Sequence, residues 1–135
     1  MREIKKLVIH CSDTQDSIDI GAREIRDWHM NDNGWSDIGY HYVIRRNGTV
    51  ENGRKPEIKG AHVRNHNSDS IGICWIGRND IDDKQLKSLQ VLVKALCFKY
   101  GLDITEDVYG HYELDSKKTC PNLDMNKFRA EILFV

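Results

Sequence analysis

The sequence predicts an α/β fold: a single domain over residues 1–135, with a mixed central β-sheet flanked by helices on both faces. Three observations lead there. The segment "SIGICWIG" at 70–77 is apolar on both faces, the pattern of a central buried strand. Asn47-Gly48 between two strand-like runs signals an antiparallel hairpin. A long amphipathic stretch after residue 82 supplies a helix to cover the sheet. The element order, β-α-β-β-β-α-β-α, favours a mixed sheet over a strictly doubly wound parallel one.

Residues 4–10 alternate into a β-branched run and form a strand ending at His10. In "SIDIGAREIRDWHMNDNG", Ser17 or Asp19 is the expected helix cap and Asn33-Gly34 the stop. Ile25, Trp28 and His29 fall at helical spacing between them. Residues 39–46 form the next strand, turned by Asn47-Gly48 in a type I′ turn, with Thr49 to Glu51 returning beside it. The polar stretch 52–69 is an irregular loop. Asp82 with Gln85 makes a capping box for the long helix. Leu86, Leu89, Val93, Leu96 and Tyr100 are its buried stripe, and Gly101 ends it. A strand near 106–111 and a short helix near 124–132 complete the chain.

A chain of 135 residues buries roughly two-thirds of its unfolded surface, enough for one substantial core. The net charge of −1, with both signs interspersed, provides no basic stripe for nucleic acid. Leu7-Val8-Ile9 is far too short for a signal-peptide core or a membrane span, so the expectation is a protein made in the cytoplasm without membrane insertion. Cys11, Cys74, Cys97 and Cys120 are then expected as free thiols, any special one being catalytic or metal-bound.

Three side chains suit a zinc ion. His10 and His111 each end an expected strand, where side chains project from the sheet rim. Cys120 precedes Pro121, whose ring disfavours the helical region for the residue before it and keeps Cys120 extended. Lys118 then shares a side with Cys120, while Lys117 points away. Zinc takes nitrogen and sulfur ligands, and a catalytic site keeps its fourth position for water. Spacing alone leaves the matter open, because strand-end histidines are commonly just hydrogen-bonded and free cysteines commonly pack in cores. His62 and His66 are four apart, but Gly, Asn and Ser around them argue against a helix that would unite them. Cys11 points to the face opposite His10, and Cys74 and Cys97 sit in apolar patterns. Tyr40 and Tyr42 share one face of their strand and His41 takes the other.

Five ordered blocks carry a resemblance: "VIHCSDT", "GAREIRDWH", "GWSDIGYHYVIRRNGTVENGR", "GAHVRNHNSDSIGICWIG" and "GHYELDSKKTCPN". Together they resemble the zinc-dependent N-acetylmuramoyl-L-alanine amidases, the bacteriophage lysozyme-type enzymes whose domain the peptidoglycan recognition proteins share. The resemblance runs from about residue 6 to residue 124. It implies a Zn2+ cofactor held by His10, His111 and Cys120, with Tyr40 and Lys118 as catalytic residues. The implied reaction is hydrolysis of the amide joining N-acetylmuramic acid to the L-alanine of the stem peptide in peptidoglycan. Many relatives read Gly-His-Arg-Asp after the second ligand, whereas "HYELDS" follows here, so substrate contacts of that loop do not carry over.

In that reading Lys118 sets a positive charge beside the developing oxyanion, and Tyr40 orients the attacking water or donates to the same oxygen. His62 with the loop 60–69, and Arg54, are candidate substrate contacts, and each serves equally as an ordinary surface residue. The rival function is a non-catalytic peptidoglycan-binding module of the same fold, which typically lacks the cysteine ligand. A cysteine hydrolase using Cys11 or Cys120 is a second rival. The expected molecule is a monomer acting on the cell wall after release or export, as a phage or prophage lysis enzyme or as an exported toxin. A regulatory protein partner is left open.

Overall fold

The computed structural model describes residues 2–135. Its core is a five-stranded sheet in the order β3-β2-β4-β1-β5. The strands are β1 (Lys6–Cys11), β2 (Tyr42–Ile44), β3 (Val50–Asn52), β4 (Ser70–Trp75) and β5 (Val108–Gly110). β2 and β3 pair antiparallel, and every other neighbouring pair is parallel. The mixed sheet anticipated from the element order is thus present, with β4, buried at all six positions, in its centre.

The helices are α1 (Ala22–Asn31), α2 (Asp83–Tyr100), α3 (His111–Leu114) and α4 (Met125–Ile132). Alternation along β1 sends Leu7, Ile9 and Cys11 to one face, where they pack with Leu89, Val93 and Leu96 of α2 and Phe128 and Ile132 of α4. The other face gathers Val43 and Cys74 with Ala22 and Ile25 of α1. Helices therefore cover both faces. Burying each large apolar side chain contributes about 1.5–3 kcal/mol, so this two-sided core is what fixes the strand ends in space. Among the described residues, no helix is long and apolar enough to cross a membrane.

α2 begins and ends as its residues dictate. Asp82 accepts the Lys84 amide at 2.8 Å, Gln85 accepts the Asp82 amide at 3.1 Å, and Gly101 closes the helix in the left-handed region. α1 begins differently from expectation. Neither Ser17 nor Asp19 caps it: Gly21 is the cap residue, its amide donating to Glu24 at 2.8 Å, while Glu51 accepts the Ala22 amide at 2.9 Å. Asp19 instead pairs with Arg45 at 3.2 Å. A carboxylate from the edge strand β3 has replaced the local cap, which no local pattern reveals.

The hairpin also differs in type. Only Gly48 has positive φ, and Asn47 does not, so the type I′ turn is absent. The Gly48 amide donates to Arg45 and the Arg45 amide to Thr49, a turn followed by a glycine bulge. Asn47 has a local alternative, since its side-chain oxygen accepts the Thr49 amide at 2.9 Å. Strands are shorter than the apolar runs suggest. β2 starts at Tyr42, leaving Tyr40 in the preceding loop, and β5 stops at Gly110, so His111 opens α3.

Candidate metal centre and substrate groove

The centre lies where the parallel strands β1 and β5 end, at the carboxyl rim where open α/β sheets characteristically bind ligands. Register does the positioning. Ile9 pairs with Gly110, so the next residues, His10 and His111, stand side by side with ring centroids 4.6 Å apart. α3 is pinned by Glu113, which accepts the Gly110 amide at 2.9 Å and takes a two-pronged ion pair from Arg129 of α4 at 2.7 and 2.9 Å.

Cys120 arrives on a loop, and four contacts hold that loop down. The Cys120 sulfur accepts the Cys11 amide at 3.0 Å and its carbonyl accepts the Tyr112 amide at 2.9 Å. The buried indole of Trp75 donates to the Pro121 carbonyl at 3.1 Å, and the Asn122 amide group donates to the Arg78 carbonyl at 2.6 Å. The segment is not the extended strand expected from Pro121. It turns, with the Lys118 amide on Asp115 and the Asn122 amide on Thr119. As a consequence Lys117 lines the same cavities as Lys118 and does not point away.

The ligand atoms of His10, His111 and Cys120 all lie within 4.8 Å of one another. His10 and His111 are buried and Cys120 is half-buried. Two imidazoles and a sulfur are the donor set of a tetrahedral zinc site that keeps one position open, so the residues present fit a zinc ion. The electrostatics agree. Burial first, then the neighbouring His62, His111 and Lys118, hold His10 well below the usual imidazole range, and burial and Lys118 lower His111. Both imidazoles are thus neutral, as a cation requires. The Cys11 thiol and burial push the Cys120 thiol up, so in the metal-free protein it carries its proton.

Tyr40 lies beside the trio, its ring 5.1 Å from that of His10. Burial and the sulfurs of Cys74, Cys120 and Cys11 push its phenol well up, which keeps the hydroxyl protonated and able to donate. A groove of about 630 Å³ opens from the trio, lined by His29, Trp35, Tyr40, His62, Arg64, Asn67, His111, Lys117 and Lys118 among others. The cavity over the trio itself, of about 330 Å³, shares Tyr40, His62, His111, Lys117 and Lys118 with it. Arg64 and Asn67 belong to the loop 60–69 expected to line the groove, whereas nothing local in the sequence singles out Trp35.

Arg54 is not brought to the groove. Its guanidinium donates to the carbonyls of Ile38, Lys59 and Asp37 at 2.8, 2.9 and 3.3 Å, bracing the loop after β3. His62 does reach the site, but as a buried neighbour of His10, with Nδ1 2.9 Å from His10 Nε2. His66 is elsewhere, near Lys6. His41 lies behind the site, where its Nδ1 accepts the Gly72 amide at 3.0 Å. All four cysteines are free thiols.

Comparison with known proteins places this arrangement. Residues 1–123 match the Amidase_2 family, described as N-acetylmuramoyl-L-alanine amidase. The chain is 39% identical over 132 residues to the endolysin of Escherichia phage T7, covering 90% of this chain and 83% of that protein. To the endolysin of Klebsiella phage KP32 it is 36% identical over 135 residues, covering 94% and 86%. The solved structure of the N-acetylmuramoyl-L-alanine amidase LysC from Clostridium intestinale URNW aligns with a TM-score of 0.86 and 26% identity, over 98% of this chain and 87% of that one. With nearly its whole length inside these matches, the chain belongs to the N-acetylmuramoyl-L-alanine amidase family.

Proposed function

We propose that this chain is a zinc-dependent amidase that hydrolyses the bond between N-acetylmuramic acid and the L-alanine of the stem peptide in peptidoglycan. The observation that carries the reading is the convergence of His10, His111 and Cys120 at the head of a groove of about 630 Å³. The active unit is a single domain, 1–135, working as a monomer on the cell wall after release.

Amide hydrolysis needs a competent nucleophile and a partner for the oxyanion. A zinc ion bound by the trio supplies the first, because it lowers the pKa of water to roughly 7. The chain supplies the second. Lys118 lines both cavities and its charge is felt at His10 and His111, so it sets a fixed cation beside the reacting carbonyl. The neutral Tyr40 phenol donates a hydrogen bond at the same centre. Trp35 and His29, whose rings lie 4.7 Å apart, form an aromatic wall against which a sugar face or lactyl methyl can pack.

The test is release of dye from labelled cell walls by the purified protein, with and without a chelator. Release that stops on chelation and returns with zinc supports the reading. Binding to the walls without release in added zinc favours the non-catalytic module.

A further inference from the structure

A chain of hydrogen bonds runs from the buried interior to the metal centre. The Ser70 hydroxyl donates to the His66 carbonyl at 2.6 Å, an acceptor with no proton to give. With its proton committed there, Ser70 Oγ meets His62 Nε2, 3.1 Å away, as an acceptor, so the proton of neutral His62 sits on Nε2. His62 Nδ1 is then a bare lone pair. It faces His10 Nε2 at 2.9 Å, and that nitrogen must donate. The proton of neutral His10 is therefore on Nε2, and Nδ1 is its free donor atom.

The fold makes room for this arrangement. A Cβ on Gly72 of β4 would fall 2.6 Å from His62 Cγ, and one on Gly60 would fall 2.8 Å from His62 Cδ2. The ring is clamped between two backbone surfaces that only glycine leaves clear. Asn67 fixes the main chain beneath it, its side-chain oxygen accepting the amides of His62 and Val63, both at 2.9 Å. Ser70 is fully buried at the head of β4.

We propose that His62, backed by Ser70, is a positioning residue for the metal centre: it holds His10 as the Nε2–H tautomer and assigns Nδ1 as the nitrogen offered to the cation. This replaces a substrate-contact role for His62, and it rests on the reading of His10 as a zinc ligand. A partner of this kind orients the imidazole and raises its basicity.

The test has two arms on the full chain. Long-range proton–nitrogen NMR of the metal-free wild type reads the tautomers directly, and both His10 and His62 are expected as Nε2–H. Zinc affinity, by competition with a chromophoric chelator, is expected to fall about 10–100-fold in His62→Ala. It recovers in His62→Asn, whose side-chain oxygen restores the acceptor at the place of Nδ1. A merely structural role for His62 would not be rescued in that way. His10 found as the Nδ1–H tautomer, or His62→Ala affinity within about threefold of wild type, overturns the inference. If His62→Ala does not fold, the wild-type spectrum and Ser70→Ala, expected to weaken zinc binding several-fold, decide in its place. A wild type that binds no zinc overturns the ligand assignment beneath the inference, a failure distinguishable from loss of the relay because the tautomer spectrum needs no metal.

Discussion

The main-chain amide of Cys11 lies 3.0 Å from the sulfur of Cys120, so the strand that carries one imidazole of the trio also anchors its sulfur across 109 residues of chain. An amide donor stabilises a thiolate, yet the Cys11 thiol and burial hold the metal-free sulfur protonated. A cation has to displace that proton.

Zinc binding should therefore release at least one proton, and affinity should rise about tenfold per pH unit for each proton released. Calorimetry in two buffers of different ionisation heat counts the protons. Uptake of zinc with no proton release would contradict the assignment of a protonated Cys120.

Cys120→Ser should keep the fold, because a serine oxygen can still accept the Cys11 amide. It should lose bound zinc and turnover together. Elemental analysis and dye release on the same sample check this, with zinc affinity expected to drop by more than the roughly 100-fold upper range for an outer partner. Full zinc occupancy in this variant would remove Cys120 from the ligand set.

Lys118→Ala should retain zinc while turnover falls on the order of a hundred- to a thousand-fold, the usual cost of one oxyanion donor. Lys117→Ala, which removes a second cation from the same cavities, should act mainly on substrate affinity. Equal losses of turnover in both variants would deny Lys118 a distinct role.

His41 predicts how the metal-free fold responds to acid. Burial lowers its pKa from 6.5 to about 4, and its Nδ1 is committed to the Gly72 amide. Between those values the unfolded chain binds a proton that the folded one refuses, so stability is full above about pH 6.5 and declines as pH falls toward 4. The loss from this one group is on the order of 3 kcal/mol. Urea melts across that range should show the decline. The slope should be smaller in His41→Asn, which keeps an acceptor for Gly72 but does not titrate. It does not vanish, because His10, His29, His62 and His111 are lowered as well.

Elements written in short-range pattern were legible from the residues. The apolar run of β4 and the Asp82, Gln85 and Gly101 signals of α2 appear in the structure where the sequence puts them. The start of α1 was not, because Glu51 from β3 holds the first amide of the helix. The turn after β2 differs in type from the one the sequence suggests because Asn47 satisfies itself through Thr49. At the site, His10 and His111 stand together only because β1 and β5 are neighbours, a pairing across 101 positions that spacing cannot reveal. The same holds for His62, 52 residues from His10. Its setting left two local traces, the flanking glycines and a serine heading an otherwise apolar strand, that mark a buried polar partner once the fold is known.

Mass spectrometry of purified peptidoglycan digested by the protein, paired with the zinc content of the same preparation, reads the cleaved bond and the metal together. One zinc per chain is expected, with stem peptides freed carrying an unblocked L-alanine amino terminus, both lost on chelation. Cleavage at a glycosidic bond, or digestion that continues undiminished in zinc-free protein, would contradict it.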